Sequence, residues 1–336
     1  MLRVGVIGAG YWGPNLIRNF MLINDVEVCC VADFDKARLA HMKKLYAGIE
    51  VTTDYRELIE NPSIDVVAIA TPVRTHHQLA AEALNANKHV FVEKPLAASS
   101  RQCEELIELA IRHRCKLMVG HTFVYTAAVQ KMHEIIESGQ LGELYYINSQ
   151  RLNLGLFQKD INVIWDLAPH DVSILLHLLG EDPVAVSAVG MSHIDPAIED
   201  VATVTLYFGK RVIAFIQNSW LDPDKIRRMT FVGSRKMMVY DDIEPTSKIR
   251  IYDKSVEKPN YYDNFAEFAY SYKYGDITIP QLKGGEPVRN ELEHFVDCVL
   301  HDTPCKSDGY AGLKVVKILE ATMESLAAGG KQVAIN

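Results

Sequence analysis

The stretch from Arg3 to Asp33 constrains this chain more than any other. An uninterrupted apolar run, Val4 to Ile7, leads straight into Gly8, Gly10 and Gly13, which is how a buried parallel strand turns tightly into a helix. The first glycine permits the turn, the second lets a pyrophosphate approach the backbone, and the third lets the helix pack close to the strand. Tyr11 and Trp12 lie where that helix begins, so their backbone would border the phosphates drawn by free N–H groups and the helix dipole. A second apolar run, Val26 to Ala32, ends in Asp33, about twenty residues beyond the loop, where a carboxylate meets the hydroxyls of an adenosine ribose. Phe34 and Asp35 follow it, not an arginine poised for a 2′-phosphate. NAD is therefore expected over NADP, with Lys36 and Arg38 close enough to bear on the choice.

Beyond Asp33, strand and helix alternate. Helical stretches are expected over Pro14 to Leu22, Asp35 to Tyr46, Tyr55 to Glu60, His77 to Asn85 and Ser99 to His113. Strands are expected over Val66 to Ala70, His89 to Val92 and Leu117 to Gly120. This rhythm describes a doubly wound α/β domain with a parallel sheet, a Rossmann arrangement, over residues 1–122. Ligands sit at the carboxyl ends of such strands, so Thr71, Pro72 and His76 become candidate cofactor neighbours, His76 being equally readable as a helix cap or surface residue.

After residue 122 the rhythm changes. Helices are expected over Val129 to Ser138 and Pro169 to Leu179, with strands over Leu144 to Arg151, Val184 to Met191, Val201 to Phe208, Arg211 to Ser219, Arg228 to Val232, Lys236 to Tyr240 and Lys248 to Tyr252. Strands that follow one another without helices between them make a mostly antiparallel sheet, so residues 123–336 read as an α+β domain for substrate binding and oligomerisation. Asp253 to Asp276 is Tyr-rich and irregular, a candidate lid or subunit arm, and helices over Pro287 to Leu300 and Tyr310 to Ala328 complete the chain. In Val201 to Phe208, one alternating face is expected against helices and the other against a partner subunit, as in a homodimer or homotetramer.

A chain of 336 residues suits two domains. Its net charge of −8 argues against nucleic acid as the main partner. There is no apolar run of membrane-spanning length, and the N-terminus enters its strand at once, so a cytoplasmic protein is expected. The six cysteines show no metal-ligand spacing; no metal is expected, and the thiols read as reduced and mostly buried.

Two groups of residues carry chemistry. The strand ending at Val92 runs into Glu93, Lys94, Pro95, which puts Lys94 in the crevice expected to hold the nicotinamide, although a lysine just after a strand is also an ordinary surface residue. Asp166 and His170 stand four apart, so one helix would present both on one face; Pro169 is tolerated there if it falls in the first turn. A carboxylate beside an imidazole raises its basicity, as a general base for an alcohol requires, while the bland alternative is a capping Asp and a satisfied His.

The glycine loop, the Glu93-Lys94-Pro95 tripeptide and the later Asp166/His170 pair, in that order over essentially the whole chain, resemble the Gfo/Idh/MocA family of NAD(P)-dependent oxidoreductases. The resemblance implies that Lys94, Asp166 and His170 form the catalytic group, that Glu93 and Lys94 border the cofactor, and that a sugar hydroxyl is oxidised to a ketone. The family often has Gly between Asp and His where this chain has Leu167, Ala168, Pro169. Within the family, the run from Arg151 to Gly155, Asn162 to Asp171, Leu221 to Arg227 and Val239 to Asp242 are similar to sugar-nucleotide dehydrogenases that oxidise C3 of UDP-N-acetylglucosamine. Arg151, Asn153 and Asn162 join the catalytic group as candidate substrate contacts, for hydroxyls and a phosphate. An inositol or free-sugar dehydrogenase, or a cofactor-sensing regulator without catalysis, are the alternatives.

Overall fold

The computed structural model describes residues 1–209, 212–257 and 271–335, and the chain divides into two compact units. The first comprises Met1–Thr126 and Gly285–Lys317. Its strands are β1 (Leu2–Ile7), β2 (Val26–Ala32), β3 (Glu50–Thr52), β4 (Val66–Ile69), β5 (His89–Glu93) and β6 (Leu117–Gly120). They form one sheet in the order β3-β2-β1-β4-β5-β6, parallel throughout. The order reverses between β1 and β4, the crevice where doubly wound sheets bind their ligands.

The helices are α1 (Gly13–Phe20), α2 (Lys36–Leu45), α3 (Tyr55–Ile59), α4 (His76–Asn85) and α5 (Ser100–His113). Asp35, Asp54 and Ser99 cap α2, α3 and α5 by accepting backbone N–H bonds, which satisfies donors that would otherwise be orphaned. Helix α1 has no side-chain cap at Trp12 and carries a proline in its first turn. Its free N–H groups are thus left for a ligand.

The second unit comprises Ala127–Gly284 and Ile318–Asn336. Helix α6 (Ala127–Glu137) precedes strand β7 (Leu144–Leu152) and helix α7 (Val163–Leu179). Then come β8 (Pro183–Met191), β9 (Val201–Phe208), β10 (Ile213–Ser219), β11 (Ile226–Gly233), β12 (Met237–Asp241), β13 (Ile249–Glu257) and β14 (Ser271–Thr278). Helix α8 (Pro287–His301), helix α9 (Gly309–Ala327) and strand β15 (Val333–Ala334) close the chain. The nine strands run β14-β13-β12-β11-β7-β10-β9-β8-β15, with β7 and β10 parallel and the other pairs antiparallel. Helix α7 packs over β7, β9 and β10. On β9, Ala202, Val204, Leu206 and Phe208 are buried while the alternate residues are partly or fully open, the two-faced pattern of its sequence.

Three expectations change. Helix α8, placed by sequence in the second domain, packs with the first unit through Leu292, Phe295 and Val296. Pro169 does not lie in a first turn, because Asn162 caps α7 two turns earlier than the apolar pattern indicates. The irregular stretch from Asp253 is strand at both ends, with Glu257 paired to Ser271; β14 is exposed along its whole length, so it lacks the alternation that reveals a strand. The centre of that stretch, and Arg211, lie outside the described residues. All six cysteines are free, and five are buried. Among the described residues no helix is long and apolar enough to cross a membrane.

Candidate active site

In the first unit the glycine loop has the geometry its sequence implies. Gly8 has φ +101°, and a Cβ there would meet the Ala70 carbonyl oxygen at 2.6 Å. A Cβ on Gly13 would collide with the carbonyl of Gly8, so this glycine lets α1 close onto the loop. At Gly10 a Cβ would meet only Arg38 Nη1, at 3.6 Å, leaving its backbone approachable. Tyr11 and Trp12 are exposed and pack edge to face at the loop's tip.

Asp33 binds the loop from the end of β2. Its Oδ2 accepts the Ala9 N–H at 2.6 Å and its Oδ1 the Asp35 N–H at 2.8 Å, and a carboxylate with two such bonds keeps lone pairs for ribose hydroxyls. Arg38 Nη1 stands 3.9 Å from Asp33 and Arg38 Nε 3.5 Å from Asp35. An uncapped helix end, a glycine backbone open to close approach and a half-buried carboxylate fit a dinucleotide.

Thr71 and Pro72 follow β4 at the carboxyl edge of the sheet, as the sequence implies. His76 departs from both of its sequence readings. It is buried in the first turn of α4, with Nε2 2.8 Å from the Thr71 carbonyl oxygen and Nδ1 2.8 Å from that of Pro95. Neither a surface cap nor a ring turned to ligand, it ties the loop after β4 to the loop after Lys94. Burial lowers its pKa, against the pull of the two carbonyls.

Glu93 ends β5 and is buried, and Lys94 is half-buried in the turn that follows. Burial pushes the Glu93 carboxyl up to about 7, with Lys94 opposing the shift. At the end of β6, His121 is buried and pushed down to about 4 by burial and by Lys94. It was not singled out by sequence, because no motif marks it.

In the second unit, α7 carries both Asp166 and His170, each half-buried. Asp166 Oδ2 accepts the indole N–H of Trp220 at 3.1 Å. Trp220 follows β10, is 1% exposed, and gives its carbonyl to the Gly155 N–H at 3.0 Å. The ring of Phe157 lies against it at 5.4 Å between centroids. A single buried indole thus holds both the carboxylate and the loop after β7; sequence patterning gives no sign of this role.

The candidate substrate residues divide. Arg151 is buried, with Nε 3.0 Å and Nη2 2.9 Å from the two oxygens of Asp171, so its fork is committed to α7 and not offered to a substrate. Asn162 is buried as the cap of α7, accepting from the Trp165 N–H at 3.1 Å and donating to Glu199 at 2.8 Å. Asn153 alone of the three is half-exposed, past the end of β7.

Residues 2–121 match the model of the Gfo/Idh/MocA oxidoreductase family with NAD-binding Rossmann fold, and residues 129–239 that of the Gfo/Idh/MocA C-terminal domain. A myo-inositol 2-dehydrogenase of Thermotoga maritima is 26% identical over 300 residues, 85% of this chain and 90% of that protein. Among solved structures, a UDP-N-acetylglucosamine 3-dehydrogenase from Acidithiobacillus ferrooxidans superposes with TM-score 0.79 at 24% identity, covering 97% of this chain and 98% of the other. GenD2 from gentamicin A biosynthesis, in complex with NAD, superposes with TM-score 0.83 at 23% identity, covering 100% and 96%. At these identities the two structures share the fold.

Proposed function

This chain belongs to the Gfo/Idh/MocA oxidoreductase family, and from that membership we propose that it oxidises one hydroxyl of a sugar to a ketone, with Lys94, Asp166 and His170 as its catalytic residues. The observation that carries this reading is α7, which holds a carboxylate and an imidazole one turn apart, the carboxylate fixed by a buried indole. NAD supplies the hydride acceptor. His170 takes the proton of the reacting hydroxyl, work suited to an imidazole near neutral pH. The Lys94 ammonium hydrogen-bonds the same oxygen and stabilises negative charge as it develops. Asp166, held by Trp220, orients the imidazole or a neighbouring substrate hydroxyl.

For the substrate we favour a nucleotide sugar, oxidised at C3 of UDP-N-acetylglucosamine, because the runs around Arg151 to Gly155 and Asn162 to Asp171 are similar to enzymes of that kind. An inositol is the second reading, favoured by the Thermotoga relative. Incubation with NAD and each candidate, followed by mass spectrometry, tests both. Loss of two hydrogens from UDP-N-acetylglucosamine supports the first reading; loss from an inositol alone replaces it. 2-Oxoglutarate is included in case NADH must be reoxidised in place. We further propose that the open apolar residues Val184, Val189, Met191 and Phe215 lie in a homo-oligomer interface; a monomer by sedimentation would refute it.

A further inference from the structure

Three parts of the chain, distant in sequence, meet behind Lys94 in the first unit. Phe91 on β5 packs against Phe295 on α8, with ring centroids 5.8 Å apart. Glu93 lies two residues beyond Phe91, on the same face of the strand, and Glu291 lies four before Phe295, on the same face of the helix. Strand and helix spacing therefore carries both carboxyl side chains to the same side of the ring contact, where the Glu93 carboxyl acts electrostatically on Glu291. Glu93 Oε2 also lies so close to Gly120 that a Cβ there would come within 3.1 Å of it. Glu291 is fully buried, and its Oε2 accepts the Thr122 hydroxyl at 2.7 Å.

This cluster is not a closed structural network. Glu291 Oε1 has no hydrogen-bond partner, and neither ring nitrogen of the buried His121 has one. A native interior leaves few such groups, and each calls for an explanation. Apolar residues of similar volume would stabilise the unit as well or better. The groups remain polar at the carboxyl ends of β5 and β6, where a nicotinamide is expected.

We propose that Glu93 and Glu291 form a buried carboxyl pair that holds one proton more when NADH is bound than when NAD is bound. Two adjacent buried carboxyls cannot both ionise at low cost, so one proton is kept between them. A positive charge arriving at the strand ends favours the fully ionised pair and releases that proton to solvent; once the charge is neutralised, the proton returns. Burial raises both carboxyls, and the charge of Glu93 adds to the rise at Glu291. The other titratable groups acting on the cluster are Lys94 from the loop after β5, His121 from the end of β6 and Tyr125 beyond it. At the start of α8, Glu286 is closed on Arg18. The inference rests on NAD binding and not on the identity of the sugar.

Calorimetry of NAD and of NADH binding to the full chain, in two buffers of different ionisation heat near pH 7, reads the protons exchanged. The wild type is expected to release up to about one proton with NAD and none with NADH. Glu93→Gln combined with Glu291→Gln keeps an acceptor for Thr122 but leaves neither carboxyl to ionise, and is expected to bind both cofactors with no difference in protons released. Equal release by the two cofactors in the wild type, or an unchanged difference in the double variant, overturns the proposal. Should that variant not fold, the wild type alone decides. Its ratio of NAD to NADH affinity is expected to rise with pH, by up to about tenfold per unit where the pair titrates; a flat ratio overturns the proposal.

Discussion

Removing the Arg151 guanidinium tests whether that residue serves the fold or the substrate. Its two hydrogen bonds to Asp171 join β7 to α7, and the side chains are only 6% and 2% exposed. Arg151→Ala leaves the Asp171 carboxylate buried and uncompensated, a cost of roughly 3–5 kcal/mol, seen as an unfolding midpoint lowered by roughly 10 °C. Arg151→Met combined with Asp171→Leu removes both charges and keeps volume, so it should recover most of that loss, with a coupling energy on the order of 3 kcal/mol. Thermal and urea unfolding of the wild type, both single variants and the double variant measure these quantities. In variants still folded at the assay temperature, kcat should fall more than KM rises, because Asp171 adjoins His170 on the helix this pair holds. An Arg151→Ala protein that unfolds at the wild-type temperature but shows a strongly raised KM would refute the reasoning and return Arg151 to the substrate.

Trp220→Phe keeps a ring in the core but removes the donor to Asp166; a hydrogen bond to a charged group is worth about 1.5–3 kcal/mol, so kcat/KM is expected to fall by roughly tenfold or more, and unchanged steady-state kinetics would dismiss the indole as an anchor. Asp33→Asn keeps an acceptor for the Ala9 N–H but removes the charge opposite Arg38, so titration should show weaker NAD binding and stronger NADP binding, and an unaltered preference would count against Asp33 as the selector. Glu93 sits at about 7, above the ordinary carboxyl value of 4.5, because it is buried. A carboxyl raised in this way contributes stability that is complete below about 4.5 and lost as pH rises through about 7, worth roughly 3 kcal/mol. The unfolding midpoint of the wild type should accordingly fall between about pH 4.5 and 7 relative to that of Glu93→Gln; parallel pH profiles would show that Glu93 is not held protonated.

The first unit was legible because its signals are local. The glycines that mark the turn lie within the Gly8 to Gly13 loop itself, and the apolar runs of β1, β2, β4 and β5 are those of strands buried on both faces. In the second unit, β14 escaped because an edge strand exposed on both sides shows no periodicity. The start of α7 escaped because its cap, Asn162, lies a full turn ahead of Asp166. Residue type alone marked Arg151 and Asn162 as polar groups for a substrate. What a polar side chain does depends on what stands opposite it, and Asp171 and Glu199 are 20 and 37 residues away in sequence.

Glu291 shows the same limit at its furthest. On α8 it is one acidic residue among several, since Glu293 and Asp297 on the same helix are also carboxylates. Nothing local separates a solvated carboxylate from a buried one. The distinction comes from Phe295, which must find an aromatic partner in the core, and the partner it finds is Phe91, two residues before Glu93. Once those rings meet, the spacing of strand and helix carries Glu291 within electrostatic reach of Glu93. Helix α8 therefore belongs with the first unit for a chemical as well as a packing reason: it brings a second carboxyl to the end of β5, beside the lysine on which the proposed oxidation depends.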